Sequence, residues 1–360
     1  MKIAFIVGSL AGGGAERVVS ILASRMAQQG HDVSVLLIAS NNQTYTPDSK
    51  VQVVDCSQKF NIRGLGFLQR VALIRKKLKA IKPEVCVSFT VAVNLYAVLA
   101  CIGLKSQLVL AERNDPRFDP VGKGSRLLRT LLYPMADRYV FQTEGEKVYF
   151  SNRIQKRSAV IPNPVNPDIP QAYDGQREKR IVTAVRLDPQ KNLKMAIDAF
   201  AALSEKYPEH VFEIYGKGGL RQQLQDYIVS LGLQNRVLLK GNSPTLYQDI
   251  LKSQLFVLPS NYEGMSNSLL EAMALGLPCI STDHPSGGAS AVIRQGENGL
   301  LIPVGGTEEL TQAMDQLLSD GGLARRMGLA AQQVRQTLQV DRVIKMWMDY
   351  LLGEGKYEKL

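Results

Sequence analysis

The sequence predicts an α/β protein made of two doubly wound, Rossmann-like parallel-sheet domains. Three observations carry that prediction. Apolar, partly β-branched runs alternate with helix-periodic segments, the alternation restarts halfway along the chain, and a proline-dense seam separates the two series. At 360 residues the chain also exceeds the size at which a single core keeps growing.

In the first series the strand candidates are KIAFIV, VSVLLI, VCVSF, QLVLA and RYVFQ, separated by periodic segments such as AERVVSILASRMAQQ. The seam holds Pro162, Pro164, Pro167 and Pro170, a density that ends regular structure and makes a stiff, extended connector. The second series runs RIVTAV, VFEIYG, RVLLKG, LFVLPS, PCIST and GLLIPV. Strand–helix alternation of this kind argues for a parallel sheet covered on both faces, here twice. The expected division is residues 1–165, residues 166–338, and a final helical segment 339–360. Such domains are expected to face one another across a cleft, with ligands beyond the carboxyl ends of the strands.

Composition narrows the class. Hydrophobic residues are 45% of the chain and charged residues 21%, as in soluble globular proteins. The four cysteines are scattered without a CxxC pair, which argues against a disulfide framework or zinc site and for a reducing, cytoplasmic setting. The N-terminus reads as a first strand, not a signal peptide. Residues 85–104 lack charge over a length that could span a bilayer, but Ser88, Thr90 and Asn94 interrupt them, so a buried strand followed by an apolar helix is expected. The net charge of +10 is uneven: residues 1–165 carry 23 Lys and Arg against 11 Asp and Glu, whereas the remainder carry 20 against 22. The basic half calls for an anionic partner, which could be a nucleic acid, a membrane surface or a phosphorylated substrate.

Three loops carry candidate chemistry. GSLAGGGAERVV follows the first strand and opens a helix, so Gly13 and Gly14 allow close backbone approach to an anion at a helix N-terminus. It is not G-x-G-x-x-G, and the second strand ends without the acid a dinucleotide ribose requires. In AVRLDPQKN, Arg186 and Lys191 stand five apart after a strand, a guanidinium and an ammonium able to neutralise a diphosphate. In SNYEGMSNSLLEAMALGLPCI, Glu263 sits in a loop and Glu271 in a helix capped by Ser266 or Asn267 and stopped by Gly276 and Pro278. Eight helical residues span about 12 Å, so a close acid–base pair is not implied. Two separated carboxylates flanking a row of backbone N–H groups suit a polyhydroxylated anion instead.

YEGMSNSLLEAMALGLPCI resembles the E-x7-E signature of the retaining GT-B glycosyltransferases of family 4 (glycosyl transferases group 1). GGGAERV, IPNPV, VRLDPQKN and SGGASAVIRQGENGLLIPVG match the same family in order and spacing, over essentially the whole chain. The resemblance implies a metal-independent transferase with a nucleotide-sugar donor, UDP-linked by family frequency, bound mainly by the C-terminal domain. Arg186 and Lys191 would grip the diphosphate. Glu263 would meet the transferred sugar together with the backbone of Gly264, Met265, Ser266 and Asn267, and Glu271 would hold the ribose. Gly13 and Gly14 would let the first loop close over the phosphates, and DRVIKMWMDYLL would cross back to the first domain. Many members carry a histidine in the N-terminal domain where this chain has Arg113, so Glu112 and Arg113 are the candidates there for the catalytic group. Val185 replaces a common glycine. His31 is expected to be structural, and His210 and His284 receive no role.

Phe67, Val71, Ile74, Leu78 and Ile81 repeat at helical spacing, surrounded by Arg70, Arg75, Lys76, Lys77, Lys79 and Lys82. This is either a surface helix with a core-facing stripe or a basic helix that docks on anionic lipid. Members with this charge pattern build surface polysaccharides, including lipopolysaccharide and capsule, or lipid-linked oligosaccharides. A hexose or N-acetylhexosamine transferred to a glycan or polyprenyl-diphosphate-linked glycan is therefore expected, at the inner face of the cytoplasmic membrane. A non-catalytic nucleotide-sugar-binding relative is the alternative. A nucleic-acid binder is disfavoured, because it leaves the E-x7-E stretch without a role.

Overall fold

Both series form parallel sheets in the computed structural model, which describes residues 1–58 and 66–353. In the first, β1 (Lys2–Val7), β2 (Asp32–Leu37), β3 (Gln52–Asp55), β4 (Val85–Phe89), β5 (Gln107–Ala111), β6 (Arg138–Phe141) and β7 (Ser158–Val160) line up in the order β3-β2-β1-β4-β5-β6-β7. In the second, β8 (Glu178–Ala184), β9 (Val211–Tyr215), β10 (Val237–Gly241), β11 (Ser253–Leu258), β12 (Cys279–Asp283) and β13 (Leu300–Pro303) take the order β10-β9-β8-β11-β12-β13. Two strands escaped the sequence reading. β3 and β7 are four- and three-residue edge strands, too short for a period-2 pattern to register.

The chain divides into two compact units, one of Met1–Pro164 with the residues from Val340 onward, the other Val165–Gln339. The prolines of the seam lie in residues without helix or strand.

In the first unit the pleat of β1 separates two cores. Ile3, Phe5 and Val7 join the helix Gly14–Gln28 and the final helix Val340–Leu352, whereas Ala4 and Ile6 face the opposite cluster. The final helix is held by Trp347, fully buried and stacked on Phe89 with ring centroids 5.7 Å apart. Burying such a side chain contributes on the order of 3 kcal/mol. Helices Gly66–Ile81, Val91–Cys101 and Lys123–Leu132 lie side by side over the other face. The uncharged stretch 85–104 is thus β4 plus a helix of eleven residues. No helix among the described residues is long and apolar enough to cross a membrane.

In each sheet the strand order reverses direction beside the first strand of the series. β1 pairs with β2 and β4, and β8 pairs with β9 and β11. At such a switch point the loops after the two central strands diverge and leave a crevice at their carboxyl ends. In the second unit those loops are residues 185–192 and 259–266, the two segments that hold Lys191 and Glu263.

Candidate functional site

The switch point of the second unit brings Lys191 and Glu263 together across 72 residues of sequence. Lys191 closes the short 3-10 turn Pro189–Lys191, and the left-handed Asn192 (φ 43°) then starts the next helix. Its ammonium forms a buried ion pair with Glu263 Oε1. Ser260 Oγ donates to the same oxygen at 2.6 Å, and Gln190 Nε2 donates to the Tyr262 carbonyl at 2.8 Å. Two backbone-directed bonds lash the loops together: the Asn261 amide to Gln190 O at 2.8 Å and Asn261 Nδ2 to Pro189 O at 3.0 Å. Buried charges persist only when paired and further hydrogen-bonded, and Glu263 meets that requirement.

Helix Asn267–Ala274 starts immediately after this loop, because Leu, Glu, Ala and Met are strong helix formers and Ser266 takes the N-cap position. It ends in a Schellman motif. Gly276 (φ 74°) donates to Met273 O at 3.0 Å, and Leu277 donates to Ala272 O at 3.0 Å. Glu271 is 5% exposed on this helix, so it is not a solvated surface carboxylate. Gly264 and Met265 lead into the helix, Met265 being buried.

Two glycine contacts tie further loops to the site. A Cβ on Gly288 would lie 1.7 Å from Gly264 O, and one on Gly216 (φ 129°) would lie 1.9 Å from Val185 O. Only glycine permits these approaches. His284, which the sequence left without a role, is buried behind the loop. Its Nδ1 lies 2.7 Å from Ser286 Oγ, and Ser286 in turn donates to the Glu263 carbonyl. The signal available for it was its place after β12, the neighbour of β11. Arg186, unlike Lys191, projects outward, with 70% of its side chain exposed and an ion pair to Asp188 at 3.1 Å. It is therefore a solvent-exposed cation, whereas Lys191 is a buried one.

In the first unit the loop after β1 places Gly13 at the N-cap of helix Gly14–Gln28, with Gly14 as its first residue. The left-handed position is Gly12 (φ 96°), so the conformational need for glycine falls there. Glu112 and Arg113 follow β5. Glu112 is 2% exposed and accepts a hydrogen bond from Tyr133 Oη, which also lies 3.0 Å from the Asn94 amide. The Glu112 carboxyl is thus turned onto Tyr133. Arg113 lies over the Phe89 ring at 4.3 Å and the Trp347 ring at 5.5 Å, and donates to Asn163 Oδ1 at 3.2 Å. Burial pushes its guanidinium down to about 10, still charged at neutral pH. Buried Glu146, on the turn after β6, also has its carboxyl raised, first by desolvation.

Burial pushes the Glu112 carboxyl up from 4.5 to about 7, opposed by the Tyr133 hydrogen bond and Arg129. The folded protein therefore binds this proton more tightly than the unfolded chain does. Stability falls as pH rises from about 4.5 to about 7 and flattens above. Glu112→Gln is expected to remove this part of the slope, on the order of 3 kcal/mol over the window. Denaturant melts at pH 5 and pH 8 check it, and equal slopes in variant and wild type would refute the assignment.

Of the remaining histidines, His31 lies 3.4 Å from the N-terminal amine and His210 pairs with Gln254 at 2.9 Å, both structural positions. On helix Gly66–Ile81, Ile74 and Leu78 are buried, while Lys76 and Lys79 are exposed and Lys77 half-buried. Arg70 donates to the Ile38 carbonyl, and Arg75 donates to Ala100 O at 3.0 Å and to the Ile102 carbonyl. These two guanidiniums hold neighbouring backbone together, so the free basic surface is carried by the lysines.

The two parallel sheets are those of a GT-B fold, and comparison with known proteins gives the family. The family described as Glycosyltransferase Family 4 matches residues 12–169, and Glycosyl transferases group 1 matches residues 167–334. The chain belongs to this family of glycosyltransferases. It is 29% identical, over 99% of each chain, to the Campylobacter jejuni GalNAc-alpha-(1->4)-GalNAc-alpha-(1->3)-diNAcBac-PP-undecaprenol alpha-1,4-N-acetyl-D-galactosaminyltransferase. A second C. jejuni protein, N-acetylgalactosamine-N,N'-diacetylbacillosaminyl-diphospho-undecaprenol 4-alpha-N-acetylgalactosaminyltransferase, is 28% identical over 98% of this chain and 100% of its own. Among solved structures, Anabaena HepE in complex with UDP and glucose shares the fold with a TM-score of 0.83 at 21% identity, covering 98% of this chain and 100% of its own.

Proposed function

We propose that this glycosyltransferase moves a hexose or N-acetylhexosamine from a UDP-sugar to a hydroxyl of a glycan carried on polyprenyl diphosphate, with retention at the anomeric carbon and without a metal ion. The observation that carries the donor half is the Lys191–Glu263 pair at the switch point, directly before the N-terminus of helix Asn267–Ala274. Breaking the anomeric C–O bond puts negative charge on the departing diphosphate. Buried Lys191, exposed Arg186 and the amides from Gly264 to Asn267 stabilise it electrostatically in this reading. Glu263 accepts from the sugar hydroxyls and Glu271 from the ribose diol. The new bond joins the acceptor oxygen to the anomeric carbon on the face the diphosphate leaves, and the acceptor hydroxyl's proton passes to the departing diphosphate oxygen. In the first unit Arg113 supplies the fixed positive charge, with Glu112 and Tyr133 as positioning groups behind it.

UDP and a lipid-linked acceptor are supported by the relatives' names: HepE was solved with UDP, and both Campylobacter transferases are named for undecaprenyl-diphosphate glycans. A polyprenyl carrier resides in a bilayer, so the enzyme works at the inner face of the cytoplasmic membrane, and exposed Lys76 and Lys79 present charge to anionic lipid.

Thermal shift with a panel of nucleoside diphosphates, followed by mass-spectrometric turnover with nucleotide sugars, tests the proposal. UDP alone should stabilise the protein, and stabilisation by none of the panel would sink the donor assignment. Glu271→Ala is expected to weaken UDP binding about tenfold or more while leaving the fold intact, as loss of a charged hydrogen bond does. Isothermal titration measures it, and an unchanged Kd would remove Glu271 from the ribose site.

A further inference from the structure

Helix Lys123–Leu132 is inside out. Its basic Arg129 is only 3% exposed, whereas Leu127, Leu128 and Leu131 are 60%, 43% and 61% exposed. On the inward face Arg129 is held by polar bonds, beside half-buried Leu132, which packs against the apolar core. The Arg129 guanidinium donates to Asp119 O at 2.7 Å, Pro116 O at 2.9 Å and Tyr149 Oη at 2.8 Å, and lies 5.0 Å from the Tyr149 ring centre. These bonds set the helix rotation. At i, i+1 and i+4 the three leucines then share one outward stripe, extended by Val121 (81% exposed) before the helix and Met135 (53%) after it. Three leucines exposed on one helix face mark a surface suited to something other than water.

We propose that this stripe contacts a lipid bilayer bearing anionic headgroups, with Leu127, Leu128 and Leu131 entering the boundary between headgroups and acyl chains. Charge selects the occupant. The helix carries exposed Lys123 and half-buried Arg126 on its outer side and no acidic residue, and residues 1–165 as a whole carry an excess of 12 positive charges. A second copy of the same surface would bring like charge against like, whereas anionic lipid complements it. The helix belongs to the same layer as Gly66–Ile81, whose exposed Lys76 and Lys79 supply electrostatic attraction without apolar contact. Attraction by lysines alone is screened by salt, but inserted leucines are not. The inference deepens the acceptor reading above and rests on it only for why a bilayer is nearby.

Flotation with phosphatidylglycerol/phosphatidylethanolamine vesicles tests the stripe in the full-length protein, with phosphatidylcholine vesicles as control. The wild type is expected to float with the anionic vesicles and to keep a measurable bound fraction at high salt. Replacing Leu127, Leu128 and Leu131 together by Asn should weaken binding by about tenfold or more, with an unchanged melting temperature and UDP response. As an independent readout, Leu131→Trp should be quenched by brominated acyl chains, whereas buried Trp347 is not. Undiminished flotation of the triple variant, absence of wild-type binding, or an unquenched Leu131→Trp overturns the proposal. So does a dimer that the triple variant abolishes while its flotation is unchanged, since the stripe then serves self-association. Transfer to an acceptor in detergent micelles stands apart: its failure refutes the acceptor reading, not the lipid contact.

Discussion

Glu263→Ala is expected to lower kcat by about a hundredfold or more while UDP binds within a few-fold of wild type, because the proposed role of the carboxylate is on the transferred sugar and not on the nucleotide. The loss has two parts. The sugar loses an acceptor held in place by Lys191 and Ser260, and the Lys191 ammonium loses its buried partner. An unpaired buried charge costs about 3–5 kcal/mol, so the fold must be monitored separately. Glu263→Gln provides that control. It keeps an acceptor oxygen and the packing volume, and should melt closer to wild type while remaining poorly active. Steady-state kinetics with the donor identified by the nucleotide panel decide the matter. Turnover of Glu263→Ala within threefold of wild type would show that Glu263 is structural, and that the Lys191 pair serves the fold alone.

Gly288→Ala should be nearly as damaging although it removes no chemical group. The added methyl would lie 1.7 Å from Gly264 O and 2.7 Å from its carbonyl carbon. Both are backbone atoms of the loop that carries Glu263, so relief requires the loop to move, not a side chain to swing aside. The expected cost is about 2–4 kcal/mol of stability, with an additional fall in kcat as Glu263 is displaced. Gly219→Ala is the matched control, since nothing lies within 4 Å of its Cβ position, and it should stay within about 0.5 kcal/mol of wild type. Equal melting temperatures and kinetics for Gly288→Ala and Gly219→Ala would mean that the approach of residue 288 to the loop has no functional weight.

Much of the candidate site was legible because its parts lie in short, contiguous motifs. Glu263 in a loop, Glu271 in a helix and Gly276 at its left-handed end follow from local propensities, and the structure has each in that setting. Arg186 and Lys191 were equally visible but could not be told apart, since burial of one and exposure of the other depend on a strand 70 residues away. His284 and Gly288 were missed because nothing in their own segment points at Glu263. They reach it only because β12 pairs with β11. Edge strands β3 and β7 were missed for the opposite reason, having too few residues to show any pattern.

Helix Lys123–Leu132 separates the two sources of information most sharply. Its apolar and basic residues are plain in the sequence, and periodicity alone would turn the leucines inward. Tertiary hydrogen bonds to the Asp119 and Pro116 carbonyls and the Tyr149 hydroxyl turn Arg129 inward instead. Sequence by itself determined the two parallel-sheet units, the seam between them and the motifs of the candidate site, because these rest on local periodicity, turn residues and short spacings. Tertiary structure decided which cation pairs with Glu263, which glycine cannot carry a side chain and which face of a helix meets solvent, because each depends on strands and loops brought together from distant sequence.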